Sequence, residues 1–182
     1  MTCKKSIPKL LWVIIIGLYA SLMVQSQDSV PAPLCLIDKP TLYIPRLELL
    51  SPIEMAPLCS ELRTWDVSHV FGHVAHLQYT PWFAEGGNTV VVGHSLNFEG
   101  ERDVFYRLST LEVGDWIHVY LSDEHVLTYQ VSQKLEVDKR ELSILQSHGT
   151  SELTLFTCTP QSFDAETGTY QRRTVVVAQL VS

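Results

Sequence analysis

Apolar residues in this chain gather in short β-branched runs bounded by turn residues, and rarely recur at helical spacing. Thr41-Leu42-Tyr43-Ile44-Pro45 opens the pattern, and Thr89-Val90-Val91-Val92 ends on Gly93. Trp116-Ile117-His118-Val119-Tyr120-Leu121 alternates after the turn signal Val113-Gly114-Asp115. Val126-Leu127-Thr128-Tyr129-Gln130-Val131 follows another at Ser122-Asp123-Glu124. Leu153-Thr154-Leu155-Phe156-Thr157 precedes Cys158, and residues 173–181 form a last run rich in valine. Val, Thr and Tyr suit a pleated, half-buried surface, so each run predicts a strand. Helical spacing is confined to residues 104–111 and 141–145, each long enough for one short helix. Many short strands with little helix predict a mostly β protein, a closed barrel or a sandwich.

The N-terminus breaks this pattern. Lys4, Lys5 and Lys9 precede an uncharged, apolar run from Leu10 to Val24. Cations before a hydrophobic stretch hold the N-terminus inside and send the following chain outside. Fifteen residues suit a cleaved signal peptide, and Val24-Gln25-Ser26 offers a loose cleavage site; a short uncleaved anchor is the other reading. Residues 28–40, with Pro31, Pro33 and Pro40, read as a tether. The expected organisation is a signal peptide or membrane anchor over 1–27, the tether over 28–40 and one domain over 41–182.

Composition narrows the function. The 182 residues carry a formal net charge of −7, and all the acids lie beyond Val24. Nucleic-acid binding needs a basic footprint, so no nucleic-acid partner is expected. Four cysteines do not make a disulfide scaffold.

Three residues carry candidate chemistry. Cys158 ends an apolar strand just before Thr159-Pro160, and Pro160 cannot continue a central ladder. Most lone thiols are buried and inert. His94 also stands where a strand gives way to a loop, and an imidazole beside a thiol can hold it as thiolate. Arg173 opens the final strand and offers a permanent charge with five donors. Arg172 is its rival, and only one of the two can face a given side of the strand.

These segments resemble the sortases. Leu153-Thr154-Leu155-Phe156-Thr157-Cys158 is similar to the family's TLxTC strand, and Arg173-Thr174-Val175-Val176-Val177-Ala178 to its Arg-led last strand. Residues 87–94, Gly-Asn-Thr-Val-Val-Val-Gly-His, resemble its glycine-asparagine turn, strand and histidine. Phe105 to Leu108, Leu111, Gly114-Asp115 and Ile117 resemble the stretch between, and residues 41–45 its opening strand. The motifs run in register over residues 41–182, nearest to class D and class E members. The resemblance implies a closed eight-stranded β-barrel with one or two short helices, a cysteine transpeptidase activity and an N-terminal membrane anchor.

It further implies that Cys158, His94 and Arg173 meet at one mouth of the barrel as the catalytic set. Cys158 would attack a threonine carbonyl in an LPxTG-like sorting signal. His94 would protonate the leaving amine, Arg173 would steady the oxyanion or substrate backbone, and an amine acceptor would resolve the thioacyl-enzyme. Thr157 and Ser95, beside the nucleophile and the histidine, are the expected substrate-binding residues. The implied partners are surface proteins or pilins bearing a C-terminal sorting motif, with an amine acceptor of the cell envelope or a pilin lysine. The implied location is the cell membrane with an extracytoplasmic domain, or a secreted protein if the leader is removed. A hydrolase without transpeptidation and a non-catalytic anchored binding module are the alternatives. The loop from Thr159 to Arg172 and the stretch from Ser132 to Ser151 are the expected walls of a peptide groove.

No cofactor or metal is expected. His69, His73 and His76 would share a face only on a helix, and three histidines without a fixed carboxylate or cysteine are an unspecific ligand set. Cys35 and Cys59 are able to pair outside the membrane or to remain free thiols.

Overall fold

A computed structural model describes residues 39–122, 125–147 and 151–182. The strands run β1 (Thr41–Ile44), β2 (Leu49–Ala56), β3 (Leu58–Cys59), β4 (Thr64–Trp65), β5 (Val74–Leu77) and β6 (Gly87–Val92). They continue as β7 (Trp116–Ser122), β8 (His125–Asp138), β9 (Ser151–Cys158), β10 (Phe163–Asp164), β11 (Thr169–Tyr170) and β12 (Arg172–Leu180). Eight of them close into a barrel in the order β1-β2-β5-β6-β9-β12-β8-β7. The pairs β2–β5 and β6–β9 are parallel, and the other neighbours are antiparallel. Closure leaves no open edge in this sheet.

Side-chain alternation explains where the core sits. Val91, Leu153, Leu155 and Val176 point inward and meet Leu42, Ile44, Ile117, Val119 and Tyr129, all fully buried. Phe105, Leu108 and Leu111, from the connection between β6 and β7, join the same cluster. The intervening residues Val90, Val92 and Phe156 lie on the outer face. There they pack with Ala56, Val70, Ala75 and Leu77 under Trp65 and Val67. The sheet is therefore apolar on both faces along β6 and the end of β9, which is why those strands read as continuous apolar runs.

The two stretches with helical spacing each form one 3-10 turn, Leu108–Thr110 and Ser143–Leu145. A single turn costs more backbone entropy than its hydrogen bond returns, and both end at once in extended residues, Leu111 and Gln146. β2 and β5 have no counterpart among the expected strands. Pro52 interrupts β2, yet it stands at a change of partner: it is the last residue opposite β1, and pairing with β5 starts at Ile53. β8 is also longer than expected, because residues 132–138 continue its pairing with β12 through a register shift at Val177/Ala178.

Candidate functional site

Register brings the three candidates together. β6 runs parallel to β9 with Val92 opposite Phe156, and Gly93 N–H continues the ladder to the Phe156 carbonyl at 3.4 Å. The next step sets His94 level with Cys158. On the other side, Arg173 of β12 is the direct antiparallel partner of Cys158. His94, Cys158 and Arg173 thus occupy one row across three adjacent chain segments, with neighbouring strands about 4.8 Å apart. The row stands at the rim of the barrel, where β6 and β9 end and β12 begins. Cys158 shares the parity of Thr154 and Phe156, and Arg173 that of Val175, so both belong to the outer face of the sheet. From that rim the row faces outward, while the inner face at this level belongs to Thr157 and Thr174.

Each group has its own support. A Cβ on Gly93 would come within 2.8 Å of Phe105 and Val104, so only glycine lets that connection close behind His94. Phe105 N–H then donates to the His94 carbonyl at 3.0 Å. His94 Nε2 donates to the Val67 carbonyl at 2.9 Å, and its ring stacks on Phe71 with centroids 4.4 Å apart and planes 9° apart. Arg173 Nη1 donates to the carbonyls of Tyr170 and Arg172, each at 3.0 Å, which ties its guanidinium to the base of the β10–β11 hairpin. Burial pushes the Cys158 thiol above its ordinary value of 9.0, and the Arg173 charge partly offsets this.

Arg172 faces the other way. Its Nε lies 3.2 Å from the Glu136 carboxylate in an exposed pair. Thr157 is buried on the inner face, and its hydroxyl finds no hydrogen-bond partner among the described residues. Strand alternation turns it to the face opposite Cys158, where it lines a separate cavity of about 220 Å³ with Phe105, Thr159 and Thr174. Ser95 is also buried, with its carbonyl accepting Asp103 N–H at 3.0 Å. His76 is buried on β5, its Nε2 facing the Pro81 carbonyl at 3.1 Å and Thr80 Oγ1 at 3.0 Å. Desolvation holds it below the ordinary imidazole value. Residues 69–76 are loop and strand, so the shared helical face of His69, His73 and His76 does not exist. Among the described residues Cys59 has no disulfide partner, and Cys35 lies outside them.

The other half of the outer face holds part of the expected 132–151 wall, together with β9 and β12 residues that sequence reasoning did not name. A cavity of about 140 Å³ extends from Val137, the partner of Arg173, along Leu135, Gln133, Val177 and Gln179 to Glu152. Its wall is the Ser143–Leu145 turn, held by Asn88: the amide donates to the carbonyls of Ile144 (2.9 Å) and Gln146 (3.2 Å) and accepts from Thr154 Oγ1 (2.8 Å). The one available signal was a polar residue, Asn88, at the head of an otherwise apolar strand. Part of the expected 132–151 wall is therefore strand, and part is this turn. The other expected wall, 159–172, forms the β10–β11 hairpin with Phe163 and Tyr170 in ring contact at 5.1 Å.

A closed eight-stranded barrel with a thiol, an imidazole and a guanidinium in one row on its outer face is the class of structure defined so far. Residues 42–181 match the Sortase domain family. The chain belongs to the sortase family. It is 32% identical over 72 residues to Sortase A of Bacillus anthracis, a match covering 40% of this chain and spanning about a third of that relative's length (33%). Among solved structures it is similar to sortase C-1 from Actinomyces oris, with a TM-score of 0.62 and 25% identity over 79% of this chain and 73% of that one. It is also similar to sortase C1 from Streptococcus agalactiae, with a TM-score of 0.59 and 27% identity over 78% and 66%. A Clostridium perfringens Sortase D5 transpeptidase shares the fold with a TM-score of 0.60, at 17% identity over 79% of each chain. Similar scores against different classes support the family and the fold, and select no class.

Among the described residues no helix is long and apolar enough to cross a membrane. The hydrophobic segment and almost all of the tether lie outside those residues.

Proposed function

We propose that the chain is a cysteine transpeptidase that cleaves an LPxTG-like sorting signal and transfers the acyl group to an amine. The single observation behind this reading is the row formed by His94, Cys158 and Arg173 at one level of the outer sheet face. In this mechanism the Cys158 thiol gives its proton to the His94 imidazole, and the sulfur attacks the scissile carbonyl carbon. Arg173 donates to the oxyanion or to the substrate backbone. The imidazolium returns the proton to the leaving amine nitrogen as the C–N bond breaks, leaving a thioacyl-enzyme. An incoming amine attacks that thioester, forms the new amide and regenerates the thiol. Dividing one amide exchange between two easier steps is the advantage of the covalent route.

Residues 41–182 form the catalytic domain in this reading, beyond a leader and tether that place it outside the cytoplasm. Its partners are surface proteins or pilins with a C-terminal sorting motif, and an envelope amine or pilin lysine. The peptide lies along the outer face, with its apolar residues toward Val137, Leu135 and Ile144. The test supplies the full-length protein with a sorting-motif peptide, with and without triglycine or a lysine amine. Ligated product supports the proposal. Hydrolysis alone leaves the thiol hydrolase, and no cleavage with an intact Cys158 leaves a binding module.

A further inference from the structure

The segment between β4 and β5 contains no regular structure, yet its backbone is held at several points. Asp66 N–H donates to the Pro57 carbonyl at 2.9 Å, and Trp65 Nε1 to the Gln78 carbonyl at 2.8 Å. The Asp66 carboxylate accepts Ser68 N–H at 3.0 Å and the Ser68 hydroxyl at 2.6 Å. Val70 N–H closes a turn onto the Val67 carbonyl at 3.1 Å, while the Val70 side chain is fully buried in the outer cluster. Gly72 N–H reaches across to Asp103 Oδ1 at 3.0 Å, and Asp103 N–H holds the Ser95 carbonyl. Asp103 therefore ties this segment, through its carboxylate, to the backbone just beyond His94, which its own N–H holds.

What the segment presents is aimed at one side chain. The Val67 carbonyl, already accepting Val70 N–H, accepts His94 Nε2 as well. A carbonyl oxygen only accepts, so the nitrogen facing it carries a proton, and the neutral ring must keep its lone pair on Nδ1. Phe71 covers one face of the same ring nearly parallel, and Phe98, 83% exposed, leans on Phe71 with centroids 4.2 Å apart. The hydrogen bond fixes which nitrogen bears the proton, and the stack fixes the plane of the ring.

We propose that the turn over residues 66–71 is the positioning element for His94: the Val67 carbonyl sets the Nε2–H tautomer and Phe71 locks the ring, so that Nδ1 is the nitrogen that exchanges the proton with Cys158. This deepens the reading under Proposed function and rests on it. Phe71 brings no polar group to the reaction; it acts through the imidazole on which it stacks.

The experiment uses the full-length protein labelled with ¹⁵N-histidine. The His94 signals are assigned by their loss in His94→Asn, and the tautomer is read from the ¹⁵N shifts and ring couplings at a pH where the ring is neutral. The expected result is a protonated Nε2 and a bare Nδ1. Phe71→Ala is expected to mix the tautomers and to lower kcat about tenfold to a hundredfold with KM nearly unchanged, as a misplaced reacting group does. Phe71→Tyr keeps the ring face and is expected to restore both tautomer and kcat. Thermal unfolding of each variant separates misfolding from mispositioning, and Phe71→Leu, which keeps apolar bulk without a flat face, should behave like Phe71→Ala. A bare Nε2 in the unmutated protein overturns the proposal. So does a rise in kcat for Phe71→Ala, which would make the segment a lid, and so does a Phe71→Leu variant with full kcat. The tautomer is read without turnover. A protein that shows the expected ring state but cleaves no sorting peptide therefore refutes the transpeptidase reading and leaves the placement of His94 standing.

Discussion

The outer face of β6, β9, β12 and β8 has two ends built on different principles. At one end, backbone register alone sets Cys158 against Arg173 and level with His94. At the other, a buried side chain does the holding: Asn88 ties the carbonyls of Ile144 and Gln146 to Thr154 and so props the wall of the cavity. Register comes with the folding of the barrel and is hard to disturb by a single substitution. A wall held by one amide can be moved by one. In the proposed function, chemistry would thus sit on the part of the sheet that register fixes, and fit to the ligand on the part that one side chain can alter.

Substitution at each end should separate the two. Cys158→Ala should abolish peptide cleavage and ligation while leaving thermal unfolding near that of the unmutated chain, because it removes the nucleophile from a half-buried position. Residual ligation above the uncatalysed rate would move the chemistry elsewhere. Arg173→Ala should lower kcat/KM about 10²–10³-fold, the range for loss of one oxyanion-type donor. Arg172→Ala loses only an exposed pair with Glu136, worth at most about 1 kcal/mol, and should leave turnover within about twofold. If the two arginines exchange these effects, the strand register is off by one residue.

At the opposite end, Asn88→Ala should cost about 1–3 kcal/mol in denaturant unfolding, since it removes the partner of the Ile144 and Gln146 carbonyls and of the buried Thr154 hydroxyl. KM for the sorting peptide should rise with kcat little changed. An unchanged KM with a collapsed kcat would mean that the two ends are not independent. The smallest effect concerns pH. Burial raises the Cys158 thiol above 9.0 against the pull of Arg173, so its alkylation by iodoacetamide should rise with a midpoint above that value, and Arg173→Ala should move the midpoint higher still. The linked stability has a definite sign. A thiol harder to ionise in the folded state contributes fully below its unfolded pKa, and that contribution is lost as pH rises through the folded value. A midpoint below 9.0 would mean that the guanidinium outweighs burial.

The same contrast explains what the sequence made legible. Strands that carry β-branched runs, such as β6, β9 and β12, declare themselves, and with them the residues at their ends. Arg173 rather than Arg172 follows from alternation once the partner strand is known. β2 was hidden by Pro52, whose missing N–H matters only if the strand keeps its neighbour, and here the neighbour changes at that residue. The cavity was hidden because its wall depends on a hydrogen bond between residues 56 and 58 positions apart. Local pattern carries no trace of such a partner. The face that Thr157 takes was legible all along: adjacency in sequence to Cys158 means the opposite face on a strand.

If the proposed function holds, the placement of the row outside a filled barrel has one more consequence. A polypeptide laid along the outer face would pass by without entering the barrel, so the packed interior would not gauge the girth of what is attached to it. A folded domain of any bulk could then hang from the strand being processed, provided a few extended residues separate it from the sheet.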